Sequence, residues 1–141
     1  MNKKTEKPTI ILGVIGYDSH AIGNRILAYS LREEGWRVVN LGSFASQEDF
    51  VHAAIETNAR AILVSSLGGH ASIDCSGFKE ALVEAGLEQV HLYIGGNLAV
   101  GETPWEEVEK TFRGLGFSRV APPLTLPDQV SKWLEEDLLE K

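Results

Sequence analysis

Cysteine is almost missing from this chain, because Cys75 is the only one among 141 residues. A single cysteine cannot form an internal disulfide, and it leaves no Cys pair of the kind that structural zinc sites use. No apolar run approaches the roughly 20 residues that a membrane-spanning helix requires. We therefore expect a protein of the reducing cytoplasm that has no membrane as a partner.

Positive charge is also scarce, because 13 lysine and arginine residues stand against 20 aspartate and glutamate residues, for a formal net charge of -7. An acidic, mixed surface argues against nucleic acid as the main partner. Apolar residues make up 43% of the chain, which suits one compact domain with a sizeable core at this length. We expect a single domain over residues 1–141, in which residues 1–8 form a polar lead into the first strand.

Short apolar runs, each followed by a polar or glycine-containing turn and a helical pattern, organise the chain. The first, third and fourth runs are nearly continuous, which is typical of strands covered on both faces of a parallel sheet. The alternation predicts an α/β fold, a doubly wound five-stranded parallel sheet of the flavodoxin-like (Rossmann-like) type. The predicted strands are Thr9–Gly16, Trp36–Gly42, Ala61–Leu67, Val90–Gly96 and Ser118–Pro123.

Several helix ends carry local signals. Ser46 followed by Asp49 three residues later is close to a capping box. Pro104 suits the first turn of a helix. We expect Cys75 to begin a helix as a partly buried small residue, and we expect the acidic tail that starts at Trp133 to be a solvated helix face.

Three strand-end turns are rich in Gly, Ser, Asn and His: "YDSHAIG" at 17–23, "SSLGGHASID" at 65–74 and "GGNLAVGE" at 95–102. Ligands of doubly wound folds bind beyond the carboxyl ends of the strands, at the switch point of the strand order. If the strand order is 2-1-3-4-5, strands one, three and four are neighbours. Their turns then converge on one candidate ligand site.

Asp18 and His20 allow two interpretations from residue types alone. His20 could bind a metal through one ring nitrogen while Asp18 orients the ring through the other. Alternatively, Asp18 or Ser19 caps the following helix and His20 is merely exposed. Gly23 in the first helical turn costs about 1 kcal/mol relative to alanine, which makes sense if something bulky lies against the backbone there.

Other chemistries have weaker support in the sequence. A zinc site that added His70 and Asp74 would match no tight ligand spacing. The glycine-rich turns match neither GxGxxG nor a P-loop. A nucleophilic Ser65 or Ser66 would lack the GxSxG elbow, and a response regulator would need a further acidic residue beside Asp18.

Taken together, "DSHAIG", "SSL" and "GGN" resemble, in that order, the cobalamin-binding domain of adenosylcobalamin-dependent mutases and corrinoid methyltransferases. The resemblance is greatest to the family of small (sigma) subunits of glutamate mutase, also called methylaspartate mutase. It extends over nearly the whole chain, through "VVNLGSFASQEDF", "IDCSGFKEALVEAGL" and "GFSRVAPP".

The resemblance implies that His20 is the lower axial cobalt ligand, replacing the cofactor's own dimethylbenzimidazole base, and that Asp18 orients it. Gly23 would leave room for the displaced nucleotide tail, and a serine hydroxyl would bond the benzimidazole nitrogen. The cofactor-binding residues that the resemblance implies are Tyr17, Asp18, Ser19, His20, Ala21, Gly23, Ser65, Ser66, Leu67, Gly95, Gly96, Asn97, Leu98, Ala99, Val100 and Gly101.

The resemblance further implies the cofactor adenosylcobalamin and a larger catalytic (epsilon-type, barrel) subunit, in a heterotetramer of two small and two large chains. The pair would interconvert L-glutamate and threo-3-methylaspartate by a radical mechanism. This chain would hold no catalytic residue and would be inactive alone. It departs from the family pattern at Tyr17 and at Gly68, Ala71 and Ser72, which leaves the partner and substrate open.

Several alternatives therefore stay open. The chain could be the small subunit of a related mutase with another substrate, or a corrinoid methyl carrier. Methyl carriers usually have an N-terminal helical bundle, which we do not expect ahead of a first strand at Thr9. They also tend to have an aspartate after the histidine, where this chain has Ala21. A cobalamin-dependent sensor, or a flavodoxin-like fold without a cofactor, are the remaining possibilities.

Overall fold

A five-stranded parallel sheet forms the centre of the protein. The computed structural model describes residues 7–15, 22–66, 71–96, 103–122 and 125–139. The strand order is β2-β1-β3-β4-β5, so the α/β fold class and the order 2-1-3-4-5 are confirmed. The strands are β1 (Thr9–Val14), β2 (Arg37–Asn40), β3 (Ala61–Ser66), β4 (His91–Gly96) and β5 (Arg119–Val120).

Helices cover both faces of this sheet. One face carries the first and last helices, and the other face carries the helices between them. The helices are α1 (Ile22–Glu33), α2 (Gln47–Thr57), α3 (Ala71–Asp74), α4 (Phe78–Glu84), α5 (Trp105–Gly114) and α6 (Pro127–Leu138). The described strands are shorter than the predicted runs, and β2 for example ends at Asn40, before Gly42.

Alternation along β1 shows why its apolar run is continuous. Ile11 points into the cluster formed with α2, α4 and α5, whereas Ile10 and Leu12 point into the cluster formed with α1 and α6. All three side chains are 0% exposed. Burial of one such side chain stabilises the fold by about 1.5–3 kcal/mol, so both faces of the strand contribute to stability.

The predicted capping box at the start of α2 is confirmed. The Ser46 hydroxyl accepts from the Asp49 backbone N–H at 3.1 Å, and the Asp49 carboxylate accepts from the Ser46 N–H at 2.9 Å. These bonds, the backbone one foremost, lower the pKa of Asp49. Pro104 differs from its prediction by one position, because it precedes α5 with an extended ψ of 144°. Its carbonyl accepts from Val108 at 3.2 Å.

Two expectations about individual residues are wrong. Cys75 does not begin a helix: it follows α3 and is 0% exposed, because Phe78 and its neighbours enclose it. Burial raises the pKa of this thiol to about 12. The acidic C-terminal segment is not merely a solvated helix face, since Asp137 of α6 bonds Tyr93 and Arg119 of the sheet.

None of the helices in the described ranges is long and apolar enough to cross a membrane.

Candidate functional site

A cavity of about 480 Å³ lies where the carboxyl ends of β1, β3 and β4 meet α1 and α6. This is the switch point of the sheet, where the chain runs from β1 outward in both directions. Apolar side chains form most of its wall, and Ile26 among them is 54% exposed. An apolar wall that stays accessible to solvent can accept a ligand with a large uncharged body.

The end of β4 contributes two glycines to the cavity, Gly95 and Gly96. A Cβ on Gly96 would lie 2.3 Å from the backbone oxygen of Ser66, and Gly96 has a φ of 105° that other residues rarely adopt. A Cβ on Gly95 would lie 3.2 Å from the Cβ of Ala121. Position 96 therefore requires glycine, whereas a side chain at Gly95 would only crowd Ala121. The floor of the cavity there is bare backbone.

Gly23, in the first turn of α1, also lines the cavity, but close packing does not explain why this residue is a glycine. A Cβ on Gly23 would meet no atom of the described residues within 4 Å. Packing against that part of the chain therefore does not require the glycine. It widens the cavity between α1 and the sheet, as the loss of helix propensity at this position led us to expect.

The two serines at the end of β3 lie on opposite faces of the sheet, because successive side chains in a strand alternate. Ser65 is half-buried and lines the cavity, and its carbonyl accepts from the Ile15 N–H at 2.9 Å. Ser66 is only 2% exposed and is not among the lining residues. Ser66 lies beside the cavity, and its backbone packs against Gly96.

Asn24 is a cavity residue that the sequence analysis missed. It is 4% exposed, and its Nδ2 donates to Oδ1 of Asn40 at 2.6 Å. The signal was present, because residues 24, 28 and 31 share one helix face and both Ala28 and Leu31 are buried. Asn24 is a polar residue on this otherwise buried face of α1, and this position indicates a buried polar site.

The outer wall of the cavity includes Tyr93 of β4 and Trp133 of α6, whose rings meet edge to face at 6.2 Å. The Tyr93 hydroxyl donates to the Asp137 carboxylate, and Arg119 donates to both oxygens of that carboxylate at 2.9 and 3.0 Å. The guanidinium also lies 5.3 Å from the Trp133 ring centre. This cluster attaches α6 to the sheet and fixes the position of the two cavity-lining rings.

The charges in this cluster shift two pKa values. The Arg119 hydrogen bonds hold the pKa of Asp137 below its ordinary value of 3.8. The hydrogen bond from the Tyr93 hydroxyl lowers this pKa further, and so does His91, whose Nδ1 lies 3.9 Å from Oδ2 of Asp137. Burial, followed by the Asp137 bond, raises the pKa of Tyr93. At neutral pH the cluster therefore contains an ionised Asp137 and a protonated tyrosine.

Replacing Asp137 by asparagine is expected to lower the free energy of unfolding at pH 7 by about 1–3 kcal/mol, because charge-assisted hydrogen bonds are lost. A lowered folded pKa stabilises the protein above pH 3.8, and this contribution disappears as the pH falls through the lowered value. The difference between wild type and Asp137→Asn should therefore be smaller at an acid pH well below 3.8 than at pH 7. Urea unfolding at both pH values measures it, and an equal difference at both would contradict the assignment.

Many of the predicted site residues lie outside the described residues. Of the sixteen cofactor-binding residues expected from the sequence, the structure brings Gly23, Ser65, Gly95 and Gly96 together around the cavity and places Ser66 beside it. Those outside the described ranges are Tyr17, Asp18, Ser19, His20, Ala21, Leu67, Asn97, Leu98, Ala99, Val100 and Gly101.

Comparison with known proteins shows which family this chain is similar to. The family described as the B12 binding domain matches residues 8–115. The chain is 57% identical to the glutamate mutase sigma subunit of Carboxydothermus hydrogenoformans over 92% of this chain and 94% of that one. It is 53% identical to the glutamate mutase sigma subunit of Clostridium tetani over 94% of this chain and 97% of that one.

A solved structure with the same fold is a cobalamin-binding protein from Desulfitobacterium hafniense DCB-2, with a TM-score of 0.76 and 21% identity. The match covers 94% of this chain and 60% of that protein, so this chain corresponds to only part of its length. At this identity the likeness concerns the fold alone.

Proposed function

Because the chain belongs to the B12-binding domain family, and within it to the glutamate mutase sigma subunits, we propose that it is the cobalamin-binding subunit of a glutamate mutase. The observation that carries this proposal is the cavity at the switch point, lined by Gly23, Ser65 and Gly95. The cavity combines an apolar wall with small residues and bare backbone at the strand ends.

The residues of the cavity fit the nucleotide tail of cobalamin. A benzimidazole ring is flat and apolar, and it suits a wall that contains Leu63, Tyr93 and Trp133. Its nitrogen is a hydrogen-bond acceptor, and the Ser65 hydroxyl can donate to it. The open space beside Gly23 and the glycine floor provide room for the tail.

The cobalt ligand belongs to the proposal as well. We propose that His20 would hold the cobalt of bound cobalamin and that the Asp18 carboxylate would orient its ring, because a ligating histidine needs a hydrogen-bond acceptor on its other nitrogen. Both residues lie in the short segment between Ile15, which follows β1, and Ile22 at the start of α1. The remaining predicted cofactor contacts from the turns after β1, β3 and β4 are proposed on the same basis.

The chain would work as a carrier of the cofactor. Bound adenosylcobalamin would supply the radical chemistry of the carbon-skeleton rearrangement. The residues of this chain would bind the cofactor tail and orient the corrin ring. A larger catalytic subunit of the barrel type would bind L-glutamate, in an assembly of two small and two large chains. We propose that this chain alone has no mutase activity.

The alternatives differ in how well they are supported. High identity to sigma subunits over nearly the full length favours a glutamate mutase over a corrinoid methyl carrier. A related mutase with another substrate would use the same cavity, and the departures at residues 68–72 bear on that choice. Assay of both L-glutamate and homologous acids with the reconstituted pair distinguishes the two mutases.

Electron paramagnetic resonance tests the proposed cobalt ligand. The purified protein is labelled with ¹⁵N-histidine and mixed with the cobalt(II) form of cobalamin. If a protein histidine binds cobalt, the nitrogen splitting changes from the triplet of ¹⁴N to the doublet of ¹⁵N. The His20→Ala variant is expected to lose the doublet.

His52→Ala is the matched control, because His52 is an exposed histidine of α2, and it should keep the doublet. A triplet from the labelled protein would mean that the cofactor keeps its own base, and the proposed ligation would be wrong. Failure of the wild-type protein to bind cobalamin would overturn the proposed function itself.

A further inference from the structure

The side-chain oxygen of Asn24 is a buried hydrogen-bond acceptor without a partner. Among the residues that the structure describes, its Oδ1 is the only buried side-chain nitrogen or oxygen atom in this condition. Asn24 is 4% exposed and lies on the cavity wall, next to Gly23. Buried polar groups in folded proteins are nearly always hydrogen-bonded, so an exception at a cavity wall points to a missing ligand atom.

The orientation of the Asn24 amide follows from its neighbours. Oδ1 of Asn40 accepts from the backbone N–H of Gly42 at 3.0 Å, and a backbone N–H can only donate. The Asn40 atom that faces Asn24 is therefore an oxygen. Asn24 must present its Nδ2 to that oxygen, 2.6 Å away. This arrangement leaves Oδ1 of Asn24 for a donor from the cavity.

We propose that Oδ1 of Asn24 accepts a hydrogen bond from the nucleotide tail of cobalamin, a proposal that rests on the proposed function above. The donor is a ribose hydroxyl or the amide N–H of the linker to the corrin ring. The benzimidazole nitrogen and the phosphate oxygens are acceptors and cannot fill this role. Asn24 thus distinguishes corrinoids that carry the tail from those that lack it.

Binding of two corrinoids tests this assignment. Cobinamide has the cobalt and the corrin ring but no nucleotide tail, so ligation by a histidine is common to both compounds. Asn24→Leu is expected to weaken cobalamin binding about ten-fold, the loss of one hydrogen bond from a buried site. Cobinamide affinity is expected to stay within about two-fold of wild type, since that ligand has no tail to contact residue 24. Absorption titration of wild type and variant with each corrinoid measures both values.

Each outcome has a distinct meaning. Unchanged cobalamin affinity in Asn24→Leu would overturn the proposal, and so would an equal loss for both corrinoids, which would indicate general damage to the cavity. Arg25→Leu is the control, because Arg25 is the exposed neighbour on α1 and does not line the cavity. If wild type binds neither corrinoid, the proposed function fails first and the assignment of Asn24 fails with it.

A measurement on the wild-type protein keeps the test valid if Asn24→Leu does not fold. The side-chain amide of Asn24 gives its own pair of ¹⁵N–¹H resonances. These are expected to move when cobalamin is added and to stay in place when cobinamide is added. Resonances that stay in place with both corrinoids would overturn the proposal.

Discussion

Replacing Gly23 by leucine is expected to leave the apo-protein folded and to weaken cobalamin binding about 100-fold, because overpacking of a filled site costs about 1–3 kcal/mol and 1.4 kcal/mol is ten-fold in affinity. Among the residues that the structure describes, no atom lies within 4 Å of a Cβ at Gly23, so the first carbon of the new side chain has space in the apo-protein. Leucine also has a higher helix propensity than glycine by nearly 1 kcal/mol. Absorption titration with cobalamin gives the affinity, and thermal unfolding gives the stability.

Gly114→Leu is the matched control for this substitution. Gly114 is the last residue of α5, and a Cβ there also meets no atom within 4 Å. It does not line the cavity, so cobalamin affinity should stay at the wild-type level. Tight cobalamin binding by Gly23→Leu would show that the tail does not occupy this cavity. Unfolding of Gly23→Leu would show that the space beside α1 is needed by the fold itself.

Gly96→Ala is expected to lower the free energy of unfolding by about 3–5 kcal/mol, the sum of backbone strain and a steric clash. The φ of 105° is unfavourable for alanine, and the new Cβ would lie 2.3 Å from the Ser66 carbonyl oxygen. Ser66 cannot retreat easily, because it belongs to β3 and pairs with β4 in the centre of the sheet. Urea unfolding measures the loss, which is large against the usual stability of about 5–15 kcal/mol.

Gly86→Ala separates the two causes. Gly86 has a φ of 79°, and a Cβ there meets no atom within 4 Å. It therefore carries the backbone strain without the clash, and we expect a loss of about 1–2 kcal/mol. If Gly86→Ala and Gly96→Ala lose equal stability, the close approach of β4 to the Ser66 backbone contributes nothing.

The fold could be predicted from the sequence because its signals are local. The nearly continuous apolar runs at Thr9–Gly16 and Ala61–Leu67 indicate strands buried on both faces, and the structure has β1 and β3 there, in the interior of the sheet. Ser46 and Asp49 form their capping box within a single turn. Apolar runs and capping boxes depend only on the spacing of residues along the chain, and this spacing can be taken directly from the sequence.

The candidate site could be predicted only in part. Gly23, Ser65 and Gly95 come from three strand-end turns, and parallel strands bring such turns to one edge of the sheet. The wall formed by α6 could not be predicted in this way, because its residues follow β5 and are distant in sequence from the turns. The assignments of His20 and Asp18 stay predictions.

The sequence by itself determined the alternation of strands and helices, the glycines at the strand ends and the family of the chain. Only the tertiary structure decided the partners of Asn24 and Asp137. The sequence of α6 indicates a solvated Asp137, but the packing of α6 on the sheet brings this carboxylate, now partly buried, to Tyr93 and Arg119. Whether a polar group is satisfied depends on atoms far away in sequence, and packing alone brings those atoms within hydrogen-bond distance.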